Sequence, residues 1–290
     1  MTVIENALDL AKKQREARTQ HEAPTRSSLS SGSIVREPPP RASHVAVPAH
    51  PRLDFSALPQ VPLNPRALHE NRVLSQGSVG HGAEIAYRML RTRVMRIMRN
   101  SNWTTLGIVA SGAGEGKTLT ALNLAISIAA EPGQHAVLVD LDLRRPMVNR
   151  YLGIPGDQFP NLSDFLEGVT NDVGPLLVSP GIPQLGCVMN SRPLERSSDL
   201  LASARGHMLI DGLKLQCPDA LIVFDLPPLL ATDDALVVAP LVDALLFVVA
   251  EGGAKRDEVM AARQLVQEFN VIGTLLNKSV EQDSRAYYYY

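Results

Sequence analysis

Cysteine is nearly absent from this chain. Its two thiols, Cys187 and Cys217, stand 30 residues apart with no CxxC or histidine spacing, which excludes both a zinc-ligand pattern and a disulfide framework. Reduced thiols and a cytoplasmic location fit. Charge of one sign is equally scarce: a formal net charge of −2 and a pI near 6.4 supply no basic field for nucleic acid. Long apolar runs are missing too. The longest, Ala235 to Ala250, is cut by Pro240 and Asp243 and falls short of the roughly 20 residues a spanning helix needs. The N-terminus, MTVIENALDLAKKQREAR, lacks the uninterrupted apolar core of a secretory signal. Any membrane location therefore has to come through a partner. Aromatics are few, and four of the six tyrosines are the last four residues, Tyr287, Tyr288, Tyr289 and Tyr290.

What is present suffices for one α/β domain with appendages. At 290 residues and 45% hydrophobic content the chain can bury a core of about 200 residues. Residues 1–20 place Ile4, Ala7, Leu8 and Ala11 at helical spacing and predict a short amphipathic helix. Residues 21–80 read as a flexible linker: Glu22 to Pro65 alone holds nine of the 21 prolines, interleaved with Ser, Arg and His. Order is expected to resume near Ala83, where Ala86, Leu90, Val94 and Ile97 form an apolar stripe and Arg88, Arg91, Arg93, Arg96 and Arg99 occupy the other faces. Packing against the domain, a subunit contact and an anionic membrane surface all suit such a helix.

From Trp103 onward apolar β-type runs alternate with helical stretches. Strands are predicted at Leu106–Ala110, Ala136–Val139, Leu221–Phe224, Ala244–Val249 and Val271–Leu276, and helices at Lys117–Ala130, Asp199–Leu215, Asp233–Ala239 and Arg256–Phe269. Near-continuous apolar strands alternating with helices imply a mostly parallel sheet covered on both faces, and the fold class is a P-loop α/β domain over residues 81–280. Residues 281–290 form a tyrosine-rich tail.

The chemistry concentrates at strand ends. In LGIVASGAGEGKTLTALNLA an apolar strand ends in a small-residue loop that leads into a helix, the context a phosphate-binding loop requires. Backbone N–H groups of Ser111, Gly112, Ala113, Gly114, Glu115 and Gly116 close around phosphate oxygens, aided by the positive end of the helix. Lys117 is expected to reach the β and γ phosphates and Thr118 to ligate Mg²⁺. The strict pattern asks for Gly where Ser111 stands. In AVLVDLDLRRP a buried strand emits Asp140 and Asp142, whose side chains share one face at the carboxyl edge of the sheet. There they can serve Mg²⁺ or accept a proton from an incoming hydroxyl. In DALIVFDLPP the strand ends in Asp225, a Walker B arrangement that sets a carboxylate beside the metal. Asn277 offers donor and acceptor to a purine edge, and Val280 stands where a guanine-specific NKxD needs Asp, which favours ATP.

The loop SGAGEGKT, the strand VDLDLRRP, the strand FDLPP and the tyrosine tail together resemble the bacterial tyrosine kinases that accompany capsule and exopolysaccharide export. YRMLRTR at Tyr87 to Arg93 and SSDLLASARGHM at Ser197 to Met208 extend the likeness from about Ala83 to Tyr290. The helix and Pro-rich leader are similar to the stand-alone kinases of exosortase-linked loci. The resemblance implies an ATP- and Mg²⁺-dependent autokinase whose acceptors are Tyr287 to Tyr290. In it Lys117 and Thr118 hold phosphate and metal, Asp140 and Asp142 serve the metal and the attacking tyrosine, and Asp225 completes the site. It further implies homo-oligomers, an activating membrane-embedded chain-length determinant and a cognate phosphotyrosine phosphatase, with no role for nucleic acid. Two departures are visible. The family's ring-forming ExxRxxR is matched by Arg88 and Arg91, but Ile85 stands at the Glu position and Glu84 lies one residue early. Ala113 replaces a frequent Pro. The competing readings are a ParA/MinD-like switch ATPase, whose signature lysine is replaced here by Gly112, and a nucleotide-sensing scaffold without catalysis.

Overall fold

A computed structural model of the chain describes residues 53–75 and 81–279. The chain divides into two units, Met1–Val47 and Pro48–Tyr290, and the described residues all belong to the second. The predicted N-terminal helix and the tyrosine tail lie outside the described residues.

Six strands form one sheet: β1 Thr105–Ala110, β2 His135–Asp140, β3 Leu185–Val188, β4 Ala220–Asp225, β5 Ala244–Ala250 and β6 Val271–Asn277. Their order is β3-β2-β4-β1-β5-β6, and every pairing is parallel. The expected parallel sheet is therefore present, with β1 at its centre. Central strands are almost continuously apolar because helices cover both faces, and β1 and β4 are buried at every position. One core layer packs the P-loop helix Lys117–Ala129 and helix His81–Ser101 through Leu122, Leu124, Met98 and Val94; the other packs Phe165, Leu209, Ile210 and Leu213 onto Val137, Ile222 and Phe224.

Helix His81–Ser101 is bound to the domain, which resolves the alternatives its basic face left open for Arg91. That side chain donates to Ser127 O at 2.8 Å and pairs with Glu131 at 3.0 Å. Glu84 pairs with Arg88 at 2.6 Å, an i,i+4 contact that gives the displaced glutamate a local partner. The predicted helix Asp199–Leu215 is two helices, Ser197–Ala202 and Ala204–Gln216, because Ser203 caps the second by accepting from Arg205 N. Both cysteines are free and buried, and burial pushes their thiols up to about 12 for Cys187 and about 11 for Cys217. They are inert by that measure.

The linker is shorter than composition implied. Residues 53–75 are packed, with Phe55, Leu58, Val61, Leu68, Val73 and Leu74 all buried. Pro65 opens helix Pro65–Glu70 directly after the cap Asn64, a position where its missing N–H costs nothing. This strap pairs with the β3 side of the sheet through Val61 N to Ser179 O at 2.9 Å. It then crosses helix Val148–Leu152, where Asn64 N donates to Leu152 O at 3.1 Å. It reaches the P-loop helix, where Asn123 Oδ1 accepts from Leu74 N at 2.8 Å and Asn123 Nδ2 donates to Arg72 O at 3.2 Å. The apolar anchors, three residues apart at Phe55, Leu58 and Val61, outweigh the prolines beside them.

Candidate active site

The carboxyl ends of β1, β2 and β4 meet at one edge, and the loop from Ser111 to Thr118 rides on the central strand. Gly114 and Gly116 hold φ of +79° and +93°, a left-handed backbone that favours glycine. At Gly116 a Cβ would lie 2.1 Å from Asn277 Nδ2, so there is no room for one. Behind the loop, Glu115 turns inward. One carboxylate oxygen accepts from Ser111 Oγ and from Gly112 N at 2.5 Å, and the other accepts from Ala250 N at 3.2 Å. Asn277 Nδ2 donates to Glu115 O at 2.9 Å. The loop is thereby tied to the ends of β5 and β6. Asn277, read from the sequence as a purine contact, uses its amide N–H on the loop while also bordering the cleft.

The predicted carboxylates converge on Lys117. Its Nζ donates to Asp142 Oδ2 at 2.6 Å and lies 3.7 Å from Asp225 Oδ1. Register pairs Asp140 with Asp225 across β2 and β4, which brings the two strand-end motifs side by side. Burial opposes the charge on Lys117, but Asp225 and Asp142 outweigh it and hold its pKa above the ordinary value. Asp140 is raised well above the usual carboxylate range, first by burial and then by the charge of Asp225. Its oxygens accept from Met147 N and Val148 N, both at 3.0 Å, and from Asp142 N at 3.3 Å, so it braces the turn that carries Asp142. Burial also raises Asp225, with Lys117 and the Thr118 hydroxyl pulling the other way.

Asp225 is fully buried, and neither of its oxygens receives a hydrogen bond of good geometry. A buried carboxylate is costly unless cations compensate it, and Asp225 shares the single Lys117 ammonium, 3.7 Å away, with Asp142. Three aspartates face one lysine here, so the donor set fits a divalent cation beside Thr118 and Asp225. No group of three His, Cys, Asp or Glu side chains among the described residues is arranged to hold a metal unaided.

The site opens into a cleft of about 1090 Å³. Ala113, Gly114, Gly116, Lys117, Thr118, Asp142 and Asn277 line it, whereas Ser111, Gly112, Glu115, Asp140 and Asp225 stand behind that lining. The lining also includes residues that pattern reading left without a chemical role: His69 and Arg72 of the strap, Tyr87, and Tyr151, half-buried and raised by burial and by the charge of Asp225. The paired arginines after Asp142, Arg144 and Arg145, also reach it. No helix among the described residues is long and apolar enough to cross a membrane.

A glycine loop on the central strand of an all-parallel sheet, with a lysine answered by strand-end aspartates, defines a P-loop nucleotide-binding protein. No family model matches the chain. It is 28% identical over 178 residues to the tyrosine-protein kinase CpsD of Streptococcus agalactiae serotype Ia, a match covering 61% of this chain and 75% of that protein. The VpsO kinase domain superposes with a TM-score of 0.59 at 26% identity, covering 68% of this chain and 96% of that one. The septum site-determining protein MinD of Pyrococcus horikoshii, solved with Mg-ADP, shares the fold at a TM-score of 0.51 and 20% identity, over 59% of this chain and 69% of its own. The resemblance to bacterial tyrosine kinases drawn from the motifs is borne out, and with it the reading of the chain as a P-loop protein-tyrosine kinase.

Proposed function

We propose that the protein is an ATP-dependent tyrosine autokinase that phosphorylates its C-terminal cluster, Tyr287 to Tyr290, and thereby regulates exopolysaccharide polymerisation and export. The observation that carries this reading is the Lys117 ammonium held between Asp142 and Asp225 at the mouth of the glycine loop. The loop amides and Lys117 bind the triphosphate and offset charge on its terminal oxygens. Thr118 and Asp225 would hold Mg²⁺, which when bound neutralises charge on the β and γ oxygens. A tail tyrosine attacks in line: its oxygen bonds to the γ-phosphorus, the bond to the ADP oxygen breaks, and the phenolic proton passes to a carboxylate. Asp142 suits that role because it borders the cleft, whereas Asp140 stands behind the lining.

Each phosphate adds about −1.5 to −2 charges at pH 7, so a modified tail is repelled by the aspartate-rich site. An unmodified tail docking into a neighbouring subunit, and a modified one leaving it, would couple phosphorylation to the state of a homo-oligomer. A membrane-embedded chain-length determinant supplies activation and a peripheral location at the inner membrane, and a phosphatase resets the cycle. The switch-ATPase alternative is disfavoured by Gly112 at the signature-lysine position.

The test is phosphate mapping by mass spectrometry after incubation with Mg·ATP, with and without the partner's cytoplasmic tail, beside Lys117→Met. Phosphate on Tyr287 to Tyr290 that vanishes in the variant is expected. ATP turnover with unmodified tyrosines, even with the activator present, refutes the kinase reading in favour of the switch ATPase.

A further inference from the structure

Arg144 borders the cleft beside Lys117 and Asp142, yet the mechanism above leaves it unused. From the turn after β2 it reaches toward the start of helix Ser197–Ala202, in the segment SSDLLAS, and the start of helix Asp234–Val238. Its Nε donates to Ser197 Oγ at 3.2 Å and lies 3.8 Å from Asp234 Oδ1. Ser197 and Asp234 are fully buried, and neither Asp234 oxygen receives a hydrogen bond of good geometry. A carboxylate so placed is expensive to bury without a cation, and among the described residues Arg144 is the cation that pairs with it. Burial pushes Asp234 up in pKa, while Ser197 and the Arg144 guanidinium pull it down.

Both contacts engage Nε and neither an Nη nitrogen, and the residue lines the cleft. The side chain is 41% exposed there, and its planar fork matches the geometry of phosphate oxygens. Asp142, which touches the Lys117 ammonium, precedes Arg144 by two residues on the same turn, and Lys117, Asp142 and Arg144 all line the cleft. On the footing of the nucleotide reading above, we propose that Arg144 is a second phosphate-binding cation of the cleft, set from behind by Asp234 and Ser197, and that it reads the terminal phosphate of a nucleoside triphosphate. Asp234 is then a positioning residue that acts through Arg144.

The experiment is calorimetric titration of the full chain with Mg·ATP and Mg·ADP, for the unaltered protein and for Arg144→Ala, Arg144→Lys, Asp234→Asn and the Arg144→Ala/Asp234→Asn double variant. Arg144→Ala should weaken ATP about tenfold or more and ADP by less than about twofold, the scale of a lost charge-assisted phosphate contact. Arg144→Lys should recover little, since lysine lacks both the fork and the Nε contact. Asp234→Asn should weaken ATP about threefold, and the double variant should be no worse than Arg144→Ala, because one effect runs through the other. Thermal midpoints separate this from misfolding: Asp234→Asn should melt no lower than the unaltered protein, as it removes a poorly compensated buried charge. Equal weakening of ATP and ADP, or of neither, overturns the proposal. So does an intact ATP affinity with a raised KM for a tyrosine peptide, which would reassign Arg144 to the acceptor. An unaltered protein that binds neither nucleotide refutes the P-loop reading instead, and one that binds ATP selectively but phosphorylates no tyrosine refutes only the kinase.

Discussion

A single methyl group added at Gly116 probes the geometry of the loop. The Gly116→Ala side chain would sit 2.1 Å from Asn277 Nδ2, and the backbone there holds φ +93°. Left-handed backbone costs an alanine roughly 1–2 kcal/mol. Asn277 must swing aside, which breaks its 2.9 Å bond to Glu115 O, worth about 1 kcal/mol. The expected destabilisation is about 2–3 kcal/mol, or a fall of about 5–10 °C in melting midpoint for a domain of this size. Asn277→Ala alone should cost about 1 kcal/mol. The double variant should cost no more than Gly116→Ala, because removing the Asn277 amide relieves the clash while the backbone strain remains. Thermal denaturation of the four proteins measures this, and nucleotide titration should show weaker ATP binding wherever Gly116 is replaced. Strictly additive losses, or a Gly116→Ala midpoint within about 1 °C of the unaltered protein, would refute the assigned loop geometry.

Three further outcomes follow from other parts of the structure. Asp225→Asn should leave the nucleotide-free midpoint unchanged or raise it at pH 7–8 while abolishing the Mg²⁺ dependence of ATP affinity. The sign comes from burial, which lifts the folded pKa of Asp225 above the unfolded value of about 3.9, so the aspartate lowers stability as pH rises through its folded pKa. Asp243 is the opposite case: burial pushes it up, but Oδ2 accepts from Thr105 Oγ1 at 2.7 Å, Thr104 N at 2.8 Å and Thr105 N at 2.9 Å, which holds it below the usual range. Its contribution is present above about pH 4 and lost as pH falls through the folded pKa, so Asp243→Asn should flatten the acid limb of a stability–pH curve and cost about 1 kcal/mol at pH 7, allowing for partial exposure. A chain beginning at His81 loses the buried strap side chains, together worth roughly 10 kcal/mol as an upper estimate, and should be recovered aggregated or without a cooperative melting transition where the full chain is soluble.

Sheet and loop were legible because their signals are contiguous. Strands buried on both faces read as apolar runs, and the glycine loop, the paired aspartates and the Asp225 strand each carry their chemistry within a few neighbours. β3 was not legible: four residues, with Gly186 inside and Pro180 and Pro183 just upstream, present no run long enough to stand out. The strap was hidden by averaging, since Pro59, Pro62 and Pro65 dominate the composition while Phe55, Leu58 and Val61 do the packing. The partners of Arg144 were invisible for a different reason. Ser197 and Asp234 come from distant helices, and only folding discloses that the buried carboxylate has that guanidinium for a neighbour. Asn277, read as a purine contact, borders the cleft and braces the loop through its amide, a role fixed by backbone approach at Gly116 and not by residue type.

The strap also bears on synthesis. Residues 53–75 leave the ribosome early, but the surface they cover is completed by Ser179 and β3, which are made much later. At roughly 5–20 residues per second, Phe55, Leu58 and Val61 wait on the order of ten seconds for their partners. During that interval Pro59, Pro62 and Pro65, which have no N–H to donate, limit the strap to the short pairing it makes with Ser179 and leave little ladder for another nascent chain to extend.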